Sequence, residues 1–369
     1  MSPDSRLTRE VILESINDGV YATDRERKII YWSRSAERIT GWKADDILGR
    51  RCSDDVLCHE DKDGRRLCGE DYCPLYRCMV TGQSSRLPII VFALSKAGDR
   101  IPMNVSVAPI RSSAGEVIGG VETFRDLTPE FSDIQRVGKI QSLSIRKRLP
   151  EDARIRFSSH YIPQDIIGGD YYAVARLDED RFGFLMADVT GHGMSAALYT
   201  MYLGSLWESH RALLSRPREF ARRVNEGLYT LFEGEGSFAA GVCGVFDLKE
   251  KLVRFVGAGN PPGLLLRGGR CERLDCSGIP LGCFDGASYD ERVAGVGSGD
   301  CVLFFTDGAT EIPHGNGEFL GVEGLVSILE KTGYPRSATG LEAIEKELLA
   351  YSNRIRFDDD LTFLEARLL

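Results

Sequence analysis

Apolar residues change their spacing along the chain, and a region of short strands comes first. Short helical pieces, SAERITGW and ADDILGR, are predicted within this region, and residues 7–16 also have helical spacing. The order predicts a small antiparallel sheet with helices on one side. The predicted strands are VYATD (20–24), KIIYW (28–32), IIVFAL (89–94), IPMNVSVAPI (101–110) and VIGGVETFRD (117–126).

A helix is predicted to follow the last of these strands, in residues 128–150. Thr128 can cap it, and Pro129 suits the first helical position. Its apolar residues allow either a short coiled-coil seam, which Gly138 weakens, or a single helix packed on a neighbouring domain. They recur at every third position, at Phe131, Ile134, Val137 and Ile140.

The remainder of the chain is rich in predicted strands, with two helical insertions at 195–214 and 217–232. Strands and long helices in blocks predict sheets layered with helices, so the whole chain is expected to be of the α+β class. The strand candidates are RFGFLMAD (181–188), AAGVCGVFDL (239–248), LVRFVGAG (252–259), GLLLR (263–267), CVLFFTD (301–307) and LTFLEARL (361–368).

Length and composition narrow the class of protein. The 369 residues suggest roughly two domains, and a hydrophobic content of 43% is typical of globular chains. A net charge of −9 argues against general binding to nucleic acids or anionic membranes. No apolar run approaches the ~18 residues that a membrane span needs. The charged start MSPDSRLTRE lacks a signal-peptide core, so we expect a cytoplasmic protein.

In the strand-rich part of the chain that follows the predicted linker helix, acidic residues lie where predicted strands begin or end. Asp188 ends the run FLMAD, Asp307 ends VLFFTD, and Asp170 follows two glycines in IIGGDYY. A triplet, Asp358–Asp360, precedes the final strand. Carboxylates gathered at adjacent strand ends would repel one another, and a divalent cation removes that conflict. Oxygen-only ligands favour magnesium or manganese over zinc.

The segment after Asp188 contains a histidine between two glycines. Gly191 and Gly193 are expected to let the chain turn sharply into a helix that starts near Met194. The role of His192 stays open between a hydrogen bond in the turn, a contact with water on the metal, and a cover over the site.

Seven motifs in this order resemble the SpoIIE/RsbU branch of the PPM-type metal-dependent serine/threonine phosphatases. The resemblance covers nearly all of residues 150–369 and implies a two-sheet α/β/β/α sandwich with a site for two manganese or magnesium ions. The motifs are IGGDYY, ADVTGHGMSAAL, FAAGVCGVFDL, GAGNPPGLLLR, GIPLG, FFTDGATE and DDDLTF.

The resemblance also implies the ligands. Asp170, Asp188, Asp307 and Asp359 would be both metal-binding and catalytic residues, and Val189 would contribute its backbone carbonyl. Asp359 is chosen for its position two residues before the final strand; Asp358 could replace it, and Asp360 is expected to support the ligands. Two metal ions can activate water for direct attack on phosphorus, so no covalent intermediate is needed.

The first third of the chain resembles a PAS sensor domain. The residues that carry the resemblance are INDGVYATD (16–24), IIYWSRSAERITGW (29–42), DILGR (46–50) and GGVETFRDLT (119–128). We therefore expect a PAS domain in residues 1–127, a linker helix in 128–150 and a phosphatase domain in 151–369.

A cysteine-rich insertion, residues 50–78, interrupts the PAS pattern. Its Cys52, His59, Cys68 and Cys73 could close a tetrahedral zinc site, although the spacing is looser than a paired C-x-x-C signature. Similar insertions occur in some bacterial PAS sensors. Three interpretations stay open: a bound metal (zinc or an iron centre), reversible thiol oxidation, and inert cysteines.

Together these resemblances imply a PAS-regulated phosphatase for phosphoserine or phosphothreonine. Its expected substrate is a phosphorylated STAS-domain anti-sigma factor antagonist, and a homodimer is expected through the PAS domain and the linker helix. The alternatives are a phosphatase fold that only binds a partner, a phosphatase of a small metabolite, and a histidine-kinase-like sensor. No phosphoacceptor-helix and ATP-lid pattern follows residue 130, which counts against the last of these.

Overall fold

Two compact units make up the chain, one reaching from the N-terminus to Asp133 and the other from Ile134 to Leu369. The predicted helix at residues 7–16 lies largely outside the described residues, as does His192. The computed structural model describes residues 14–54, 56–61, 64–69, 72–85, 89–145, 148–191, 193–233, 236–313, 318–335, 340–352 and 357–369.

A five-stranded antiparallel sheet of order β2-β1-β5-β4-β3 forms the N-terminal unit, with short helices packed on it. The first helix is bounded by local signals: the Ser33 side chain accepts from the backbone of Ala36, and Gly41 ends the helix at φ 75°. The elements are β1 (Gly19–Asp24), β2 (Ile29–Trp32), α1 (Arg34–Thr40), α2 (Ala44–Ile47), α3 (Pro74–Thr81), β3 (Ile89–Leu94), β4 (Arg100–Arg111) and β5 (Val117–Asp126).

One long helix, α4 (Thr128–Ile145), follows β5 and crosses the boundary between the units. Gly138, Gln141 and Ile145 form its buried face. Of the predicted seam residues, Phe131, Ile134 and Val137 are half-buried, and Phe131 packs edge-on against Phe92. Ile140 and the nearby Leu143 are 53% and 70% exposed.

Two five-stranded antiparallel sheets form the C-terminal unit, with orders β13-β10-β9-β8-β7 and β12-β11-β14-β15-β6. The strands are β6 (Ile155–Ile162), β7 (Asp170–Arg176), β8 (Arg181–Val189), β9 (Ala239–Asp247), β10 (Leu252–Ala258), β11 (Gly263–Arg267), β12 (Arg270–Leu274), β13 (Glu291–Gly295), β14 (Cys301–Phe305) and β15 (Leu361–Leu368). The helices are α5 (Met194–His210), α6 (Pro217–Phe232), α7 (Gly321–Thr332) and α8 (Leu341–Ser352), with 3₁₀ turns at Arg211–Ser215 and Asp307–Ala309.

Aromatic side chains fill the space between the two sheets. Phe184 of β8 stacks on Phe304 of β14 with ring centroids 4.9 Å apart. Trp207 and Phe220 belong to the same buried cluster, so α5 and α6 cover one sheet. A second cluster joins α7 and α8 to the outer face of the other sheet. The predicted α/β/β/α sandwich and the α+β class are thereby confirmed.

The expectation of only two helices after residue 157 is wrong. Helices α7 and α8 also form, with Leu325, Ile328 and Leu329 buried on one and Leu341, Ile344 and Leu348 on the other. Each is a short helix with a narrow apolar face, and such helices depend on tertiary packing for their stability. Among the described residues, no helix is both long and apolar enough to cross a membrane.

Candidate active site and similarity to known proteins

Two of the predicted acids, Asp170 and Asp188, face each other across strands β7 and β8. They are directly paired in the antiparallel register, so both side chains lie on the same face. Beyond Asp188, Gly191 and Gly193 take φ values of 102° and 76°, and α5 begins at Met194 as predicted. The two acids therefore stand at the end of the sheet where the chain turns into α5.

Asp307 and Asp359 reach this place from the other sheet. Asp307 opens the 3₁₀ turn after β14, and Asp359 is an exposed residue two positions before β15. The carboxyl of Asp188 lies within hydrogen-bond reach of Asp307 and close enough to Asp359 to interact electrostatically. Four segments far apart in sequence thus bring their acids to one end of the sandwich.

These carboxyls share a region of low polarity. Burial, together with the charges of Asp307, Asp359 and Asp360, raises the pKa of Asp188 to about 8. Burial also raises the pKa of Asp307 to about 6, with added contributions from Asp359 and Glu311. Glu311 ends the motif FFTDGATE but was not among the predicted ligands. Both pKa values are thus raised because the carboxyls are buried beside other acids.

Asp170 is fully buried and held by two threonines. Its Oδ2 accepts from Thr306 Oγ1 at 2.8 Å and from Thr362 Oγ1 at 2.5 Å, which ties β7 to the ends of β14 and β15. Its Oδ1 is buried and has no hydrogen-bond partner. Burial, Asp188 and Asp360 raise the pKa of Asp170 against the opposing effect of the threonines. A buried, unpartnered carboxylate oxygen is a natural ligand for a cation.

Asp360 has a different environment from Asp359. It is 6% exposed and accepts backbone N–H groups from Gln164, at 2.6 Å, and from Gly169. Burial raises its pKa, and these two hydrogen bonds oppose the rise. Asp360 therefore fastens the loop before β7. Asp358 is exposed, and its carbonyl accepts from the Gln164 side chain.

The backbone packs tightly beneath the acids. A Cβ atom on Gly169 would lie 2.6 Å from the carbonyl oxygen of Val189 and 3.3 Å from Asp188 Oδ1. Val189 itself is buried and donates its N–H to the Gly169 carbonyl at 3.0 Å. The glycine is therefore required for the approach of these two segments.

Gln141 of α4 supports the same loop. Its Nε2 donates to the Gly168 carbonyl at 2.6 Å and to Thr200 Oγ1 of α5 at 2.8 Å, and its Oε1 accepts from the Gly168 N–H. The sequence singled out neither Gln141 nor the threonines that hold Asp170. Only the adjacency of Thr306 to Asp307 in FFTDG and of Thr362 to the acid triplet in DDDLTF could have drawn attention to them.

The donor set at this end of the sandwich fits hard divalent ions, because it consists of carboxylate and carbonyl oxygens. The mutual repulsion of the acids and the unpartnered Asp170 oxygen also fit a cation. Within the described part of the chain, no three His, Cys, Asp or Glu side chains are already closed around one point as ligands.

The N-terminal unit also brings its predicted residues together. Cys52 and His59 are buried, Cys68 is partly buried, and the His59 N–H donates to Cys68 Sγ at 3.1 Å. Cys52, Cys68 and Cys73 interact electrostatically with one another. Glu122 of β5, which the sequence did not single out, lies in the same cluster, with Oε1 3.6 Å from His59 Nε2.

Burial dominates the ionisation of this second cluster. It lowers the pKa of His59 to about 4 and raises the pKa of Glu122 to about 8, where the neighbouring Tyr21 hydroxyl opposes the rise. Burial also raises the pKa of the Cys52 thiol. Burial therefore favours the uncharged forms of His59, Glu122 and Cys52.

Comparison with known proteins agrees with the division of the chain into an N-terminal and a C-terminal unit. The Stage II sporulation protein E (SpoIIE) family model matches residues 178–369, and a PAS fold model matches residues 13–130. Phosphoserine phosphatase RsbP of Bacillus subtilis (strain 168) is 25% identical over 183 residues, which cover 48% of this chain and 45% of RsbP. Phosphoserine phosphatase RsbU of the same organism is 22% identical over 249 residues, covering 67% of this chain and 73% of RsbU. The chain thus spans less than half the length of RsbP.

Solved structures share the fold. The SiaA-PP2C domain of Pseudomonas aeruginosa superposes with a TM-score of 0.58 at 20% identity, covering 65% of this chain and 98% of that one. The RsbU and RsbW domains of Rv1364c from Mycobacterium tuberculosis give a TM-score of 0.51 at 22% identity, covering 60% of this chain and 61% of theirs. Because the SpoIIE model matches more than half of its residues, the chain belongs to the Stage II sporulation protein E family, with a PAS fold before the phosphatase-like domain.

Proposed function

We propose that this protein is a metal-dependent phosphatase of phosphoserine or phosphothreonine in a partner protein, regulated by its PAS unit. The observation that carries the proposal is the meeting of Asp170, Asp188, Asp307 and Asp359 at one end of the sandwich. The names of the relatives RsbP and RsbU, both phosphoserine phosphatases, support the same reaction.

Asp170, Asp188, Asp307 and Asp359, with the Val189 carbonyl, would hold two manganese or magnesium ions. Two such ions supply positive charge for the phosphoryl oxygens and lower the pKa of a water that serves as nucleophile. The chain's own part is to hold the carboxylates in place. Thr306 and Thr362 orient Asp170, and Asp360 fixes the loop that precedes it.

A narrow cleft, with room for about one water molecule, lies at the surface beside the acids. Glu311, Pro313 and Phe357 line it together with the exposed Asp358 and Asp359. The cleft lies at the surface, so a phosphoserine on a folded partner can approach without opening the sandwich. We propose a phosphorylated STAS-domain anti-sigma factor antagonist as that partner and the cytoplasm as the place of action.

We further propose that the protein is a homodimer in which α4 takes part. The exposed Ile140 and Leu143 on this helix support the proposal, since apolar side chains in a row favour association. Sedimentation analysis of an Ile140→Glu, Leu143→Glu variant should give a monomer. A Lys139→Glu variant on the same helix serves as the control, and equal masses for all three proteins would contradict the proposal.

The decisive assay measures Mn²⁺-dependent release of phosphate from phosphorylated STAS proteins encoded near this one. Asp188→Asn should reduce kcat/KM by about 100-fold or more, because the carboxylate that interacts with the acids of both sheets is lost as a metal ligand. Asp247→Asn is the matched control: Asp247 ends β9 at the opposite end of the strands of the same sheet, and its substitution should leave the rate unchanged.

The same assay separates the alternatives. Release from small phosphorylated metabolites but not from phosphoproteins would replace the protein substrate with a metabolite. Unchanged signalling in cells that carry Asp188→Asn would favour a binding module without catalysis. Turnover without added Mn²⁺ or Mg²⁺ in chelated protein would overturn the metal-dependent reaction.

A further inference from the structure

The centre of the PAS unit contains two buried polar groups that the fold leaves unsatisfied. Glu122 is 1% exposed and His59 is 4% exposed, and neither Glu122 carboxyl oxygen nor His59 Nε2 has a partner in good hydrogen-bond geometry, although the Tyr21 hydroxyl lies close to the carboxyl. A buried polar group without a partner costs free energy, and native proteins normally satisfy it with protein, water or an ion. Their atoms lie 3.6 Å apart and face each other.

Thiols surround this pair. Cys52 and Cys73 are 6% and 7% exposed, and both interact electrostatically with Glu122. Cys73 directly precedes α3. Burial raises the pKa of its thiol, and the backbone N–H groups of Tyr76 and Leu75 near its sulfur oppose that rise. Two thiols, an imidazole nitrogen and a carboxylate thus lie near one another in the core of the domain.

We propose that the PAS unit binds a single zinc ion through Cys52, His59, Cys73 and Glu122. In a tetrahedral site with bonds of about 2.1 Å, nitrogen and oxygen ligands stand about 3.4 Å apart, close to the observed separation of His59 Nε2 and Glu122 Oε1. Thiolate and imidazole ligands select zinc over magnesium, calcium or manganese.

Cys68 differs from these four residues. It is partly exposed, its sulfur accepts the His59 N–H, and Cys58 and Cys73 are the thiols that affect it most. Because it is more exposed than Cys52 and Cys73 and contacts the backbone of His59, we assign it a positioning role and not that of a ligand. In the described part of the chain no three candidate ligands are already closed around a point, so zinc draws the Cys52 and Cys73 thiolates inward as it binds.

The test uses the full chain, reduced and purified under anaerobic conditions, with Asp188→Asn present to weaken metal binding at the phosphatase site. Metal analysis should find a single zinc ion per chain. Replacement by Co²⁺ should give the thiolate-to-metal charge-transfer absorption that an all-oxygen site cannot produce. Cys73→Ser should abolish this absorption, and Glu122→Gln should weaken zinc binding about 10- to 100-fold.

Two controls guard against a general effect of losing a thiol or of misfolding. Cys276→Ser removes a buried thiol from the phosphatase unit and should leave the Co²⁺ spectrum unchanged. Cys68→Ser should weaken binding while preserving the charge-transfer absorption of two thiolates. Zinc should also raise the melting temperature of the chelated, unmutated chain, which needs no substitution in the PAS core.

Three results would overturn the proposal. One is a reduced chain with no zinc and no Co²⁺–thiolate absorption. Another is absorption that persists in Cys73→Ser. The third is iron with inorganic sulfide, or a disulfide among these cysteines in place of a metal. Because the readouts are metal content, spectrum and melting temperature, they remain valid whether or not the phosphatase is active.

Discussion

Acids lie at both ends of the phosphatase sandwich, but in opposite electrostatic surroundings. At the end remote from the candidate site, arginines hold the acids. Arg176 reaches Asp152 at 2.7 Å, and Arg154 contacts both Asp152 and Asp180. Arg267 reaches Asp300 at 2.6 Å. At this end of the sandwich, arginines of the chain therefore balance the negative charge of the acids.

Strand β14 displays the contrast within a few residues. Asp300 precedes the strand, and hydrogen bonds from Arg267 hold its pKa below the usual range. Asp307 follows the strand, and burial with neighbouring acids raises its pKa to about 6. A carboxylate near a strand end is therefore not by itself an indication of a metal site. The indication is a group of carboxylates whose nearest charged neighbours are other carboxylates. The predictions below perturb the two ends separately.

The largest effect is expected where the backbone approaches Asp188. In Gly169→Ala the new methyl group would collide with the Val189 carbonyl, so the Asp170 and Asp188 segments must separate. Displacement of about 1 Å costs on the order of 100-fold in rate. Steady-state kinetics with Mn²⁺ would measure the loss. Gly295→Ala, whose Cβ would meet nothing closer than 4.0 Å, should retain full activity.

Loss of the threonine donors should weaken metal binding next. In the Thr306→Val, Thr362→Val variant the Asp170 Oδ2 loses both hydrogen bonds, and the orientation of this carboxylate is no longer fixed. Mn²⁺ affinity should fall about 10- to 100-fold. Activity titrated against Mn²⁺ should recover at saturating metal. A variant at an exposed helical residue, Thr230→Val, should follow the original curve.

A smaller effect is expected from the buried amide of α4. Gln141→Leu leaves the Gly168 N–H and carbonyl without their partner, which costs about 1–3 kcal/mol in the free energy of unfolding. Urea denaturation of the phosphatase unit would measure the change. Gln135→Leu alters an exposed residue of the same helix and should change stability little; equal stability of the two variants would contradict a structural role for Gln141.

The smallest effect is expected at the arginine-paired end. Asp300→Asn should lower the free energy of unfolding by about 1 kcal/mol at pH 7, since Arg267 is half-exposed. The pKa of Asp300 is depressed in the folded state, so its contribution is present above the unfolded pKa of about 3.9 and is lost as the pH falls through the folded value. Unfolding curves from pH 7 to pH 3 should therefore converge; a constant difference would exclude an ionic origin.

Much of the candidate site could be identified from short motifs. Asp170, Asp188, Asp307 and Asp359 stand out because each acid adjoins a glycine or a strand end, and the structure brings them within electrostatic range. Glu122 did not stand out. It lies in the middle of the strand VIGGVETFRD, where an acid with a polar neighbour indicates a residue that faces solvent.

The strands of the phosphatase unit also divide into those that the sequence predicted and those that it missed. Every strand that the sequence predicted there includes one of the six central strands of the two sheets, while β6, β7, β12 and β13 are the four edges. Central strands are covered on both faces and become long apolar runs, as in RFGFLMADV. The edge strand RCERL is largely exposed and has no such run.

The sequence by itself determined the central strands of the phosphatase unit and the acids next to their ends, because these depend on local periodicity and on residue type. The tertiary structure decided which polar groups become neighbours: threonines with Asp170, Gln141 with Gly168, and His59 with Glu122. Those pairings join residues separated by 27 to 192 positions, and only chain folding fixes such distances. Burial then sets the ionisation of each group, since the cost of a charge depends on the medium that surrounds it.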